Sequence, residues 1–360
     1  PPPMALSRRA LLTARKPRVR AVAPGSASAR SPASSLPTGF WVHLARAAMA
    51  CRFEITLPAE SSDRLDAARD ALDVIDALED QLSIFRDSSE LSSINRDASA
   101  GPVVVEPQLF ALLDRCAQWT VETEGAFDVT AGPLSRVWGF LRRKGRIPTG
   151  AEIAAARAVT GMHHVQLGGA DPSMKTVRFD DSGVSINLGG VGKGHALDVV
   201  ASGLARVGVA TALLSAGSSS FLALGRGPTG DGFRVGIRDP FDHQRRYGTL
   251  TLADCALGVS GAGEQFFEVD GRRYGHVLDP RSGWPVEGRA LAAVIAPTAA
   301  RADALATAFF VGGADLAKRY IARHPDVSAL VIDAAGPPGT PEPQVTTIGR
   351  LPKWRLNRAV

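Results

Sequence analysis

An α+β fold, with mixed or antiparallel sheets flanked by helices, is predicted by three features of the chain. Helical periodicity dominates the first half, short alternating runs dominate the second, and one small-residue helix follows most of them, which does not suit a regular βαβ series. The pair Asp270-Gly271 between two alternating runs adds a hairpin, because a type I′ turn needs positive φ at both central residues.

The elements follow in order. Residues 50–57 alternate in the manner of a strand. Residues 62–85 place Leu65, Ala68, Leu72, Ile75, Leu78 and Leu82 at three- and four-residue steps, the spacing of a long amphipathic helix. Residues 107–124 carry Leu109, Leu112, Leu113, Cys116 and Trp119 on one stripe of a second helix. A third starts over 151–159 and a fourth runs over 192–208. Short strand-like runs cover 165–167, 176–180, 184–187, 212–215, 221–224, 233–237, 248–252, 256–260, 266–269, 273–278 and 290–295. The last helix, 302–311, is closed by Gly312-Gly313 in the usual C-terminal fashion.

With 360 residues and 45% apolar content, the chain can bury one large core or two packed lobes. The net charge of +5 is uneven: residues 1–40 hold seven Arg or Lys and no acid, so the rest carries 34 basic against 36 acidic residues. That balance argues against a nucleic-acid surface on the body. Cys51, Cys116 and Cys255 are widely spaced and form neither a zinc pattern nor a disulfide framework. No run of 18 apolar residues exists, so no transmembrane segment is expected.

Residues 1–40 read as a disordered Arg/Ser/Pro-rich leader. Within it, Ser7-Arg8-Arg9-Ala10-Leu11-Leu12 looks like a twin-arginine export signal, although Arg15, Lys16, Pro17, Arg18 and Arg20 interrupt the apolar stretch that should follow. A real signal places the protein on the cell-envelope or periplasmic side, and otherwise it is cytoplasmic. The domain is expected over 41–333, with a Pro/Gly-rich linker and C-terminal tail over 334–360.

Four stretches carry candidate chemistry. Asp303 and Thr307 are i and i+4 on a helix, so one face offers a carboxylate and a hydroxyl to a hard cation, magnesium being the natural choice. A helix-capping role for Asp303 is the plainer alternative. Residues 187–194, Asn-Leu-Gly-Gly-Val-Gly-Lys-Gly, are not a nucleotide-triphosphate loop, but they run into a glycine-rich helix entry where backbone approaches a ligand closely and Lys193 can face a phosphate. A tight turn is the alternative. His276 follows Tyr274 on a run ending in Asp279-Pro280, where a rim histidine accepts a proton near neutral pH or merely ties a loop. His163 and His164 are adjacent and expected on a strand, facing opposite ways as structural residues. Residues 125–134 with Trp138-Gly139-Phe140 suit a flat heteroaromatic ring or an ordinary core edge.

Taken in order, these segments resemble the ApbE family of FAD:protein FMN transferases. The resemblance rests on 49–53, 85–95 (Phe-Arg-Asp-Ser-Ser-Glu-Leu-Ser-Ser-Ile-Asn), 127–140, 187–198, Ser260-Gly261, 276–285 and 302–307, across about residues 42–332. It implies a two-lobed, ApbE-like (T-fold-like) enzyme that binds FAD in a cleft. With magnesium, such an enzyme moves FMN onto a threonine hydroxyl of an acceptor protein, an electron-transfer membrane protein or its periplasmic domain, and leaves AMP. By position, Met49, Phe85, Ala126, Phe127, Asp128, Asn187 and Lys193 would line the flavin nucleotide. Asp303, Thr307 and the Gly190 carbonyl would hold the metal, and His276 would be the base.

The chain departs from the family pattern in places. Asn187 stands where many members have Asp, and Ala306 where some have a second acidic ligand. Residues 215–220 and Gly263 also differ from the usual pattern. No segment of the chain matches the family's acceptor pattern, Asp-Gly-x-Ser/Thr-Gly-Ala-Thr, so self-flavinylation is not expected. Two other readings compete with transfer: an FAD pyrophosphatase giving FMN and AMP, and a flavin-binding protein without turnover. Asp303→Ala is expected to end turnover and spare the fold, on the view that a cleft acid contributes little packing.

Overall fold

The structure, a computed structural model, describes residues 41–58, 65–168, 174–227, 229–242, 244–334, 343–352 and 355–356. The leader expected over 1–40 lies outside the described residues. Strands β1 (Trp41–Ala48) and β2 (Cys51–Pro58) form a hairpin whose turn residues, Met49 and Ala50, both take positive φ. Then come α1 (Leu65–Leu82), α2 (Glu90–Asp97), β3 (Val103–Val104), α3 (Pro107–Glu122), α4 (Gly132–Val137) and α5 (Gly150–Ala158). They are followed by β4 (Val165–Leu167), β5 (Thr176–Phe179), α6 (Gly192–Arg206), β6 (Ala212–Ala216), β7 (Ser220–Leu224), β8 (Phe233–Arg238) and β9 (Arg246–Leu252). The chain continues through β10 (Cys255–Gly261), β11 (Phe266–Val269), β12 (Arg272–Gly275), β13 (Arg289–Ala296), α7 (Ala299–Arg323), β14 (Ser328–Asp333), β15 (Gln344–Ile348) and β16 (Arg355–Leu356).

Eight strands build the central sheet in the order β1-β2-β6-β7-β10-β13-β14-β15. Every strand pairing among the described residues is antiparallel. Both faces of this sheet are covered. Ala292, Val294, Ala296, Ala329 and Val331 join the cluster that holds α1, α6 and α7, while Leu291, Ala293, Ile295, Leu330 and Ile332 pack with Phe233, Val235, Ile237, Leu250 and Leu252 of β8 and β9. A strand buried on both faces cannot alternate apolar with polar residues, which is why β13 reads Arg-Ala-Leu-Ala-Ala-Val-Ile-Ala.

A third, smaller core forms the second lobe. Leu134, Trp138, Phe140, Ile153 and Ala156 of the α4 to α5 region meet Tyr274 and Leu278 of the segment that begins with the β11–β12 hairpin. Phe267 and Tyr274 stack at 5.2 Å, and the buried Trp138 donates its indole N–H to the Gly283 carbonyl at 2.8 Å. Asp270 and Gly271 take φ 50° and 74°, as the expected hairpin turn requires.

Several elements differ from the sequence expectation. Residues 184–187 join no ladder, because the Asn95 amide takes both the N–H (2.7 Å) and the C=O (2.9 Å) of Ile186 in place of a neighbouring strand. Strand β12 stops at Gly275, and α4 is a helix to which the sequence expectation assigned no element. His163 and His164 sit in a 3₁₀ turn with rings 4.0 Å apart, so they do not face opposite ways. Residues 344–348, expected in a tail, pair with β14 at the edge of the central sheet. Gly313, at φ 73°, breaks α7 into two helical stretches where Gly312-Gly313 had been expected to end it.

Candidate active site

The site is set by how closely α7 approaches its neighbours. A Cβ on Gly194 would lie 2.2 Å from the Ala299 carbonyl oxygen, and one on Gly258 would lie 2.4 Å from the Ala302 carbonyl, so only glycine lets α6 and β10 touch the first turns of α7. Asp198 of α6 completes the junction by accepting the Ala299 and Ala300 N–H groups at 2.7 and 2.9 Å. Burial pushes its carboxyl up to about 6, against the opposing pull of those two hydrogen bonds.

Held this way, Asp303 is only 7% exposed. Its carboxylate accepts the Ser220 hydroxyl at 2.8 and 2.9 Å and the Gly194 N–H at 2.8 Å. Burial is the largest influence and pushes its pKa up to about 6, while Lys193, acting through space, pulls the other way. Among the described residues Asp303 has no ion-pair partner. One turn on, the Thr307 hydroxyl donates to the Asp303 carbonyl at 3.2 Å and lies 3.4 Å from the Ser260 hydroxyl, which leaves one of its lone pairs available. A Cβ on Gly190 would lie 3.5 Å from that same Thr307 oxygen.

Gly190, Asp303 and Thr307, the residues expected to hold a metal, therefore border one cavity. Among the described residues no group of three or more His, Cys, Asp or Glu side chains is placed to hold a metal ion. A cation seated here would rest on one carboxylate and neutral oxygens, and a phosphate-bearing ligand or water would complete its shell, which is how magnesium prefers to bind. A buried carboxylate with only neutral donors and a distant lysine fits such an ion, because its negative charge lacks a close counter-charge.

Asn187 opens the segment that runs into α6. Its side chain accepts the Gly189 N–H at 2.9 Å and caps a short 3₁₀ turn, and α6 begins at Gly192, its third N–H, that of Gly194, being the one Asp303 accepts. Gly189, Gly190 and Lys193 line the cleft there, so a helix start and a lysine border the same space. Ala126, Phe127 and Asp128 line the same cleft. Asp128 is engaged by the Thr130 N–H and hydroxyl (2.8 and 2.6 Å) and the Met162 N–H (3.1 Å), so it stiffens the loop. Burial raises its pKa.

His276 stands where the second lobe meets the cleft. Its Nδ1 lies 3.0 Å from the Gln265 carbonyl oxygen, which can only accept, so Nδ1 carries the proton and Nε2 keeps a free lone pair. Burial, with a smaller push from Lys193, lowers its pKa below the usual histidine value, although Gln265 and Glu264 oppose this. The imidazole is thus neutral and basic at Nε2 at neutral pH.

Nine of the expected residues line this one cavity of about 380 Å³: Ala126, Phe127, Asp128, Asn187, Gly190, Lys193, His276, Asp303 and Thr307. Phe85, 73% exposed, lines a second cavity of about 1080 Å³ that meets the first at Gly132 and Asn187 and carries Arg136, Arg142 and Lys144. Met49 sits half-buried at the β1–β2 turn, outside the lining of both. The supporting residues Ser220, Asp198 and Asn95 were not singled out for a role from sequence. Small polar residues distant in the chain from Asp303 leave no periodic signal; only the fold shows what they hold.

A cleft between two lobes, bordered by a buried carboxylate, a lysine at a helix start and a neutral imidazole, suits an enzyme acting on a phosphate-bearing ligand. The model of the ApbE family matches residues 49–331, and the chain belongs to that family. The FAD:protein FMN transferase of Treponema pallidum is 33% identical over 253 residues, 67% of this chain and 70% of that protein. That of Salmonella typhimurium is 32% identical over 238 residues, 65% of this chain and 67% of that protein. The crystal structure of the ApbE protein of Thermotoga maritima superimposes with a TM-score of 0.76 at 27% identity, covering 86% of this chain and 97% of that one.

Proposed function

We propose that this chain is a FAD:protein FMN transferase that uses magnesium to move FMN from FAD to a threonine hydroxyl of an acceptor protein, releasing AMP. The convergence of Lys193, His276, Asp303 and Thr307 on one cleft is the observation that carries this reading. The names of the curated relatives support the transfer.

Asp303, Thr307 and the Gly190 carbonyl would hold the magnesium ion, which when bound offsets charge on the diphosphate and on the departing AMP. Lys193 and the start of α6 bind the diphosphate beside the metal. Ala126, Phe127, Asp128 and Asn187 border the nucleotide, and Phe85 offers a ring at the far end of the adjoining cavity. Met49 enters this set through the resemblance alone. His276 Nε2 takes the threonine proton as the threonine oxygen forms a new ester bond to the FMN phosphorus. The bridging P–O bond to AMP breaks, and AMP leaves with that electron pair. Ala306, where some family members have an acid, is wholly buried in the main core, so this turn of α7 offers the metal only Asp303 and Thr307.

The acceptor is proposed to be an electron-transfer membrane protein or its periplasmic domain. If the twin-arginine-like leader acts as a signal, the enzyme works on that side of the membrane; no helix among the described residues is long and apolar enough to cross it. Incubation with FAD, magnesium and a domain carrying the Asp-Gly-x-Ser/Thr-Gly-Ala-Thr pattern should give a fluorescent acceptor band on a denaturing gel. A dark acceptor accompanied by free FMN would replace transfer with hydrolysis, and intact FAD would leave a binding protein.

A further inference from the structure

We propose that the groove on the outer side of His276 receives an extended segment of the acceptor protein, paired along the free edge of β12. This rests on the transferase reading and locates its second substrate. A cavity of about 380 Å³ lies beyond the cleft and shares His276 and Val277 with it, so the imidazole forms a wall common to both. A separate cavity of about 230 Å³ also adjoins the cleft, through Ser219 and Glu264, but does not reach His276.

Transfer chemistry selects the groove at His276. The attacking oxygen must approach phosphorus from the side opposite the departing AMP, and the base must touch that oxygen. An acceptor threonine entering through this groove meets His276 before it meets the diphosphate. The dinucleotide can then fill the cleft without blocking the acceptor.

The shape of the groove suits a peptide. Strand β12 pairs with β11 along one edge, and no strand covers its other edge among the described residues. Arg272, Arg273 and Gly275 of β12 line the groove, with Phe241, 51% exposed, across from them. An open strand edge offers main-chain donors and acceptors that an extended segment satisfies without a fixed side-chain sequence. Arg272 and Arg273 are already paired with Glu287 and Glu268, so backbone pairing rather than charge recognises the segment.

Gly275 provides the test. A Cβ there meets no atom within 4 Å, so a side chain at this position starts into open space and Gly275→Trp is chosen to occupy the groove, with an unchanged melting temperature as the control for folding. The probe is the domain carrying the Asp-Gly-x-Ser/Thr-Gly-Ala-Thr pattern, with magnesium and saturating FAD. Gly275→Trp should raise the acceptor KM by about tenfold or more, while the Kd for FAD, followed by flavin fluorescence, changes less than about twofold. Phe241→Glu, farther from His276, should raise the same KM severalfold with kcat unchanged. Wild-type KM in both variants would overturn the groove and leave the transferase reading standing. A wild-type enzyme that neither binds FAD nor labels the acceptor would instead overturn the reading on which the groove depends.

Discussion

In the proposed transfer Asp303 and His276 carry most of the chemistry, and their surroundings fix what substitution should do. The expectation that Asp303→Ala spares the fold is corrected by the structure: the carboxylate is buried, and its loss strands the Ser220 hydroxyl and the Gly194 N–H. Asp303→Ala should therefore abolish turnover and also cost about 1–3 kcal/mol of stability, measured by denaturant unfolding without metal. Unchanged stability would show that the buried hydrogen bonds contribute nothing. Burial lowers the His276 pKa from its ordinary value, and in the proposed mechanism it works as the neutral base, so activity should be present above that pKa and lost as pH falls through it. The acid limb of kcat/KM assigned to this residue should lie below about 6.5 and disappear in His276→Gln, whose residual rate should be lower by about 10²- to 10⁴-fold. A limb that survives the substitution unchanged would assign it to another group.

At the scale of elements, the junction of α6 with α7 is the part on which the site depends. Asp198 caps α7 from the neighbouring helix, yet burial raises its pKa to about 6, above the unfolded value near 4. Between those two values the folded state holds more protons than the unfolded state, so the contribution of Asp198 to stability declines as pH rises from about 4 to about 6 and is level beyond. Asp198→Asn cannot ionise. Urea unfolding at pH 4.5 and pH 7 should show the wild type losing ground to this variant at the higher pH, whereas a gain would contradict the burial argument. Much of the element scale is legible in the chain: the six apolar positions of α1, the stripe of α3 and the Asp270-Gly271 turn all stand where periodicity and turn chemistry place them. Residues 184–187 are the instructive exception. Their alternation reads as a strand, but the Asn95 side chain supplies the hydrogen bonds a strand would need, and a single amide 91 residues away has no periodic signature.

At the scale of the molecule, the α+β class follows from element order, and a cleft between lobes from the family resemblance that the spaced motifs carry. The doubly covered central sheet was less legible. The apolar run of β13 signals burial on both faces but not what covers them, and β15 follows a Pro/Gly-rich stretch that reads as a tail. Nine expected site residues line one cleft: Asp303, Thr307 and residues 187–194 stand out through i and i+4 spacing and a glycine-rich entry, whereas Ala126, Phe127 and Asp128, like Phe85 in the adjoining cavity and Met49 outside both, take their assignment from the family resemblance. The central claim is that this cleft couples cleavage of the FAD diphosphate to transfer onto a threonine. The most direct measurement is a single-turnover reaction with excess enzyme, FAD, magnesium and the acceptor domain, in which AMP and acceptor mass are followed together. The account predicts one AMP for each acceptor that gains one FMN, and neither product when magnesium is chelated; AMP with free FMN and an unmodified acceptor would contradict it.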